Sequence, residues 1–347
     1  MKLFTTASYY GTGSSAITDL LSEYEGVKAL DSSFECRIAH DMFGLSDLEY
    51  YLVENNHRHN SSVAINQFIR LCGIYGLDKH IRFEDYPGHF PHFKECVEAY
   101  INTLAPFGFK GGAHTDIYTK SDLFIMILKF KDLIYHKLHK PILTVEDSTW
   151  ASKGITPYEK VLHESDYHIT ALSKEKFLET TLMFTDSLFK SALDSDAQYL
   201  MVDQLVQPIN TMRYVKYFRD IKVICVDRDP RDIYYNEKYF WRGGVAPTDP
   251  QLFVEWYKAT RRHKKTEKDD PEKVMRIQFE DLICDYNHMV DKIESFLGLT
   301  PNNHIRPQTK LNPSVSVKNI AKWKNDTMEE DNIHFIKDSL MDYYEFK

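Results

Sequence analysis

Short apolar runs and amphipathic stretches alternate along this chain, and their order outlines an architecture. Residues 3–8, Leu-Phe-Thr-Thr-Ala-Ser, read as a buried strand. Gly11-Thr12-Gly13-Ser14-Ser15 follows at once, and then Ile17, Leu20, Leu21 and Tyr24 recur at helical spacing. The chain therefore opens as strand, glycine turn, helix. From about residue 44 to 195 the pattern is mainly helical. Leu45, Leu48, Tyr51 and Leu52 form one stripe, Val97, Ile101 and Leu104 another, and Ser173 is placed to cap a long helix carrying Leu178, Leu182 and Leu188.

Strand character returns at Tyr199–Val202. Pro208 then reads as the start of a short helix, Lys222–Val226 as a buried strand and Val274–Ile277 as a further strand. A helix over about 287–297 should end at Gly298. Strands at both ends with helices between predict an α/β fold, a parallel sheet flanked by helices with a large helical insertion at about 44–195. A single domain over residues 1–347 is expected.

Composition narrows the function. With 43% hydrophobic and 27% charged residues the chain has an ordinary globular balance. A net charge of −8 argues against non-specific nucleic-acid binding, which needs a basic surface. Any anion site must be locally positive. The five cysteines are scattered without a Cys-x-x-Cys pair, which suits reduced thiols and a cytoplasmic location. No apolar leader is evident at the N-terminus, and no run of ~18 apolar residues predicts a membrane span.

The turn after the first strand suits an anion. Glycines let backbone approach a ligand closely, and the first N–H groups of a helix lack intrahelical partners. Ser14 and Ser15 add hydroxyls. A nucleotide-hydrolysing loop would end in Gly-Lys-Ser/Thr, whereas here Gly13-Ser14-Ser15 has no lysine. A second anion site is suggested at residues 222–236, where a strand ends near Asp227, Arg228 sits at its carboxyl end, and Pro230 suits the first turn of a helix. The competing reading is a local ion-pair cluster of Arg228, Asp229, Arg231 and Asp232.

This stretch resembles the 3′-phosphate-binding segment of sulfotransferases. In that family an Arg at a strand end precedes Pro, a basic residue and Asp, with a hydroxyl residue eight positions after the Arg. Arg228 and Pro230-Arg231-Asp232 match, and Asn236 stands at the hydroxyl position. Ile277–Leu282, Ile293–Leu299 and Ser316–Lys324 resemble further family segments in the same order. The resemblance implies a P-loop-like fold and 3′-phosphoadenosine 5′-phosphosulfate (PAPS) as sulfuryl donor, leaving the bisphosphate PAP as product, with no metal. Tyr10, Gly11, Thr12, Gly13, Ser14, Ser15 and Ala16 would hold the phosphosulfate. Arg228 and Asn236 would hold the 3′-phosphate, while Lys318, Asn319, Trp323 and Lys324 would cover the nucleotide. One departure stands out: the family's loop cation falls on Gly11, leaving Lys318, Arg37 and Lys110 as replacements.

Bacterial members that modify capsular or cell-surface polysaccharides place a carboxylate base where this chain has Glu35, so the resemblance implies a carbohydrate or other hydroxyl acceptor. His40 is the second choice of base, being a group that titrates near neutrality. Asp203-Gln204, just past a strand, should face the same cleft. The polar run Asn55–Ser61 is either an acceptor surface or a polar helix end. His89-x-x-His92 and His136-x-x-His139 lack an obvious third ligand for a metal. Arg261–Lys265 reads first as a solvated basic face, and otherwise as a steering patch. Two rivals remain: a kinase or NTPase on a similar sheet, and a non-catalytic nucleotide- or glycan-binding relative.

Overall fold

The computed structural model describes residues 1–31, 33–75, 85–111, 121–138, 165–193 and 196–346. In chain order the elements are β1 (Lys2–Ser8), α1 (Ser15–Leu21), β2 (Val27–Ala29), α2 (Leu45–Glu49), α3 (Arg58–Cys72), α4 (Tyr86–His89), α5 (Phe93–Leu104), β3 (Phe107–Gly111), α6 (Asp122–Leu138), β4 (Ser165–Ile169) and α7 (Lys174–Ser191). There follow β5 (Tyr199–Val202), α8 (Thr211–Val215), β6 (Ile221–Asp227), α9 (Pro230–Asn236), α10 (Pro250–Arg261), β7 (Val274–Gln278), α11 (Phe279–Cys284), α12 (Tyr286–Leu297), α13 (Pro313–Ser316) and α14 (Glu330–Ser339).

The described residues divide into two compact units. The first holds residues 1–46, 85–93 and 182–346. Its centre is a five-stranded sheet in the order β2-β5-β1-β6-β7, every pair parallel. β1 and β6 lie inside the sheet and are buried almost end to end, which is why β6 reads as a largely apolar run and why even Thr5 and Thr6 of β1 are buried. β7 lies at an edge and is only partly buried, with Arg276 exposed. One sheet face contributes Phe4, Met201, Ile224, Val226 and Ile277 to a core shared with Ile17, Leu20 and Leu21 of α1 and with Ile293 and Leu297 of α12. A second core joins Ile233 and Tyr234 of α9, Phe253 and Tyr257 of α10, and Ile333 and Ile336 of α14. Gly298 ends α12 in the left-handed region at φ 71°.

The second unit holds residues 47–75, 94–111, 121–138 and 165–181. It contains α3, most of α5, and α6, together with an antiparallel pair of strands, β3 and β4. Most described residues of this stretch are helical, and the strand pair is what the sequence reading did not include. The pair joins segments more than fifty residues apart, and no local alternation announced it. Val97, Ile101 and Leu104 are buried on α5 as the stripe implied. Asn56 donates its amide to the carbonyls of Leu52 and Thr170, and Asn60 to that of Asn55, so these asparagines finish a helix end. The side chains of Arg58 and His59 lie outside the described residues, as does the His136/His139 pair. Among the described residues no helix is long and apolar enough to cross a membrane.

Candidate active site

The site grows out of the carboxyl ends of the central strands. β1 runs into a loop whose Tyr10, Gly11 and Gly13 all take left-handed backbone, with φ of 69°, 64° and 83°. At Gly13 a Cβ would stand 2.8 Å from the ring of Phe279, so both conformation and space demand glycine. Thr12 is fully buried and donates to the carbonyl of Val226 at 2.8 Å, pinning the loop to the end of β6. Among the described residues none accepts a hydrogen bond from the backbone N–H groups of residues 11–14. Those groups precede α1, the arrangement that favours an anion.

The neighbouring strand ends supply the polar lining. Gln204, itself left-handed at φ 58°, donates its amide to Ser8 Oγ at 2.8 Å and Ser14 Oγ at 3.0 Å. Each hydroxyl then keeps its own proton to donate elsewhere. Asp203 is buried at the end of β5 and accepts the hydroxyl of Thr6. It forms an isolated parallel bridge with Glu35, and Cys36 N–H donates to the Asp203 carbonyl at 3.0 Å. Burial, and then the charge of Glu35, push the Asp203 carboxyl up to about 7. His40 stands beside them. One ring nitrogen meets the Gln204 carbonyl at 2.8 Å and the other meets the Gln207 amide at 3.0 Å. The consistent tautomer donates from Nε2 and accepts at Nδ1, and burial lowers the ring's pKa. Neither nitrogen is left to take a substrate proton.

Arg228 begins the segment after β6. It is nearly buried, packs its guanidinium on the Phe279 ring at 4.9 Å, and donates to the Asn319 carbonyl at 2.5 Å. Its Nε is buried with no hydrogen-bond partner among the described residues. Asn236, the last residue of α9, faces the same space. The loop from Tyr10 to Ser15 thus shares a cleft of about 590 Å³ with Glu35, Arg37, His40, Asp203, Arg228 and Asn236.

A family profile described as the sulfotransferase family matches residues 132–303. The chain belongs to the sulfotransferase family. The matched span includes Asp203, Arg228 and Asn236; the glycine loop, Glu35 and the segment 316–324 lie outside it. No curated protein sequence matches this sulfotransferase. Among solved structures it is similar to the sulfotransferase domain of the Synechococcus PCC 7002 olefin synthase, with 11% identity and a TM-score of 0.41 over 100% of this chain and 95% of that one. It is also similar to the sulfotransferase domain of the curacin biosynthetic pathway, with 11% identity and a TM-score of 0.40 over 100% and 98%. A retinol dehydratase in complex with androsterone and the inactive cofactor PAP has 14% identity and a TM-score of 0.32 over 100% and 83%.

The sulfotransferase places the remaining sequence-derived residues less uniformly. Ala16 is buried inside α1. Asn319 reaches Arg228 through its carbonyl, but Lys318, Trp323 and Lys324 do not line the cleft. Trp323 instead lies 4.4 Å from the Arg231 guanidinium and, with Lys324, borders a separate cavity of about 340 Å³. Of the three replacement cations only Arg37 lines the cleft. Lys110 belongs to the second unit and pairs with Asp166 at 2.6 Å.

One reading needs correction. Arg261 is not part of a solvated face. It is fully buried between the rings of Tyr9 and Tyr257, and it and Lys264 both pair with Asp227. Burial would raise the Asp227 carboxyl, but those two cations outweigh it and bring the value down to about 2. Arg231, by contrast, is the ion-pair residue of the competing reading, bound to Asp229 at 2.5 Å. Gln207, Trp241 and Val245 also line the cleft and were missed. Trp241 and Val245 flank the Gly243-Gly244 turn, a signal the sequence reading did not take up, whereas Gln207 borders no such turn.

Proposed function

We propose that this sulfotransferase moves a sulfuryl group from PAPS to a hydroxyl on a carbohydrate in the cytoplasm. The observation that carries the donor reading is the pairing, in one cleft, of a loop of unpartnered N–H groups with an arginine whose buried Nε lacks an acceptor. A nucleotide with a phosphosulfate at one end and a phosphate at the other satisfies both. Residues 11–15 would hold the phosphosulfate, helped by the Ser14 hydroxyl. Arg228 and Asn236 would hold the 3′-phosphate. When bound, PAPS supplies an activated sulfuryl group. Glu35, exposed at the cleft, takes the proton of the attacking hydroxyl. Carbohydrate is favoured because polar groups of Glu35, Arg37, Asp41 and Gln207 share the cleft with the rings of Tyr10 and Trp241, which are 54% and 61% exposed. Exposed aromatic faces beside hydrogen-bonding groups suit sugar rings.

Thermal stabilisation by PAP, compared with ATP plus magnesium, tests the donor. PAP at one hundred times its dissociation constant should add about 2.7 kcal/mol to the native state. Arg228→Ala should weaken PAP binding about 10- to 100-fold, the loss of a charge-assisted contact, with the fold retained. Stabilisation by ATP and magnesium alone, or unchanged PAP affinity in that variant, overturns the reading.

A further inference from the structure

We infer that Asp203 and Glu35 share one proton and act together as a single base, Asp203 tuning the carboxylate that meets the acceptor. The inference rests on the sulfuryl-transfer reading above. It starts from geometry. The two residues are partners in a parallel bridge, so their side chains leave adjacent backbone positions, and both line the cleft beside the glycine loop. Their environments differ sharply. Glu35 is exposed, whereas Asp203 is 5% exposed on the cleft floor. One Asp203 oxygen accepts the Thr6 hydroxyl from β1, and the carboxyl group also accepts the Gln204 backbone N–H.

The groups around Asp203 leave it poorly compensated. Asp19 on α1 adds negative charge, the Gln204 backbone N–H lowers the cost of ionisation, and the main influences on it include no cation. The charged lining of the cleft comprises Arg37, Asp41 and Arg228, with His40 engaged by Gln204 and Gln207. Two carboxyl groups on bridged residues, one raising the other, do not both ionise freely, and a proton on one favours charge on the other. A proton held on Asp203 limits the negative charge beside an anionic donor. In the transfer step the acceptor oxygen forms a bond to sulfur as the bond from sulfur to the phosphate oxygen breaks. The electron pair stays on the phosphate, and the hydroxyl proton passes to the carboxyl pair.

Carboxyl titration by difference infrared spectroscopy, on the whole chain without ligand, tests this directly. The wild type should show one carboxyl protonating near pH 7. Asp203→Asn should abolish that signal, and Glu35→Gln should move its midpoint downward, because the neighbouring charge is gone. Absence of any carboxyl titration between pH 6 and 8, or an unmoved midpoint in Glu35→Gln, overturns the proposal. Because Asp203 is buried, Glu35→Gln is the deciding variant if Asp203→Asn fails to fold. PAP stabilisation measured on the same samples separates the two ideas. Its loss in the wild type would remove the donor reading and leave the carboxyl pair standing.

Discussion

Single residues at this cleft are constrained for different physical reasons, and substitutions separate them. Gly11 and Gly13 are both left-handed, but only Gly13 faces an obstacle, the Phe279 ring. Gly11→Ala should cost about 1 kcal/mol from backbone strain alone. Gly13→Ala should cost several-fold more, read as a larger fall in the denaturant midpoint. Equal losses would show that the ring moves aside. Two buried aspartates should respond to pH in opposite directions. Asp227 is depressed from 3.8 to about 2, so its stabilisation is present above pH 4 and lost as pH falls through 2. The difference is on the order of 2 kcal/mol. Asp203 is raised to about 7, so its native form binds the extra proton and stability is lost as pH rises from 4 through 7. Asp203→Asn should therefore gain stability over the wild type at pH 8 and not at pH 4, as denaturation curves at the two pH values would reveal.

At the scale of elements, legibility followed locality. β5 and β6 were readable because interior parallel strands are largely apolar runs, while β1 and the edge strand β7 were readable from shorter apolar stretches that Thr5-Thr6 and Arg276 interrupt. The cap at Gly298 and the serine cap at Ser173, which accepts from Lys176 N–H at 3.2 Å, were readable because capping chemistry is local. Pro208 misled: it lies outside α8, which starts at Thr211 after a left-handed Asn210. Trp323, expected to help cover the nucleotide, sits on a single 3-10 turn at Lys322–Asn325. That segment is held from α9, since Asp232 accepts from Ala321 N–H at 2.9 Å and Arg228 holds the Asn319 carbonyl. Asp232→Ala should release the strap while leaving the cores intact. Native-state trypsin cleavage at Lys318, Lys322 or Lys324 should then quicken severalfold. Cleavage at the wild-type rate would show that Arg231 stacking on Trp323 is sufficient to hold it.

For the whole molecule, the sheet order explains what local patterns could not convey. Ser8, Asp203 and Arg228 end neighbouring strands, so residues some two hundred positions apart meet at one edge. Their meeting is a property of strand order, and Gln204 and Gln207 acquire their roles only through it. The same scale sets an electrostatic tension. The chain carries a net charge of −8, yet the proposed donor is a polyanion. Two arginines, Arg37 and Arg228, line the cleft against that background. Contacts inside the cleft are little affected by salt, while repulsion from distant surface charges is screened beyond about 10 Å at 0.1 M. Raising salt from 10 to 150 mM should therefore speed PAP association severalfold and leave dissociation nearly constant in stopped-flow measurements. A basic anion-binding protein shows the reverse trend. Association that slows with added salt would mean that the arginine field extends past the cleft mouth and dominates the approach.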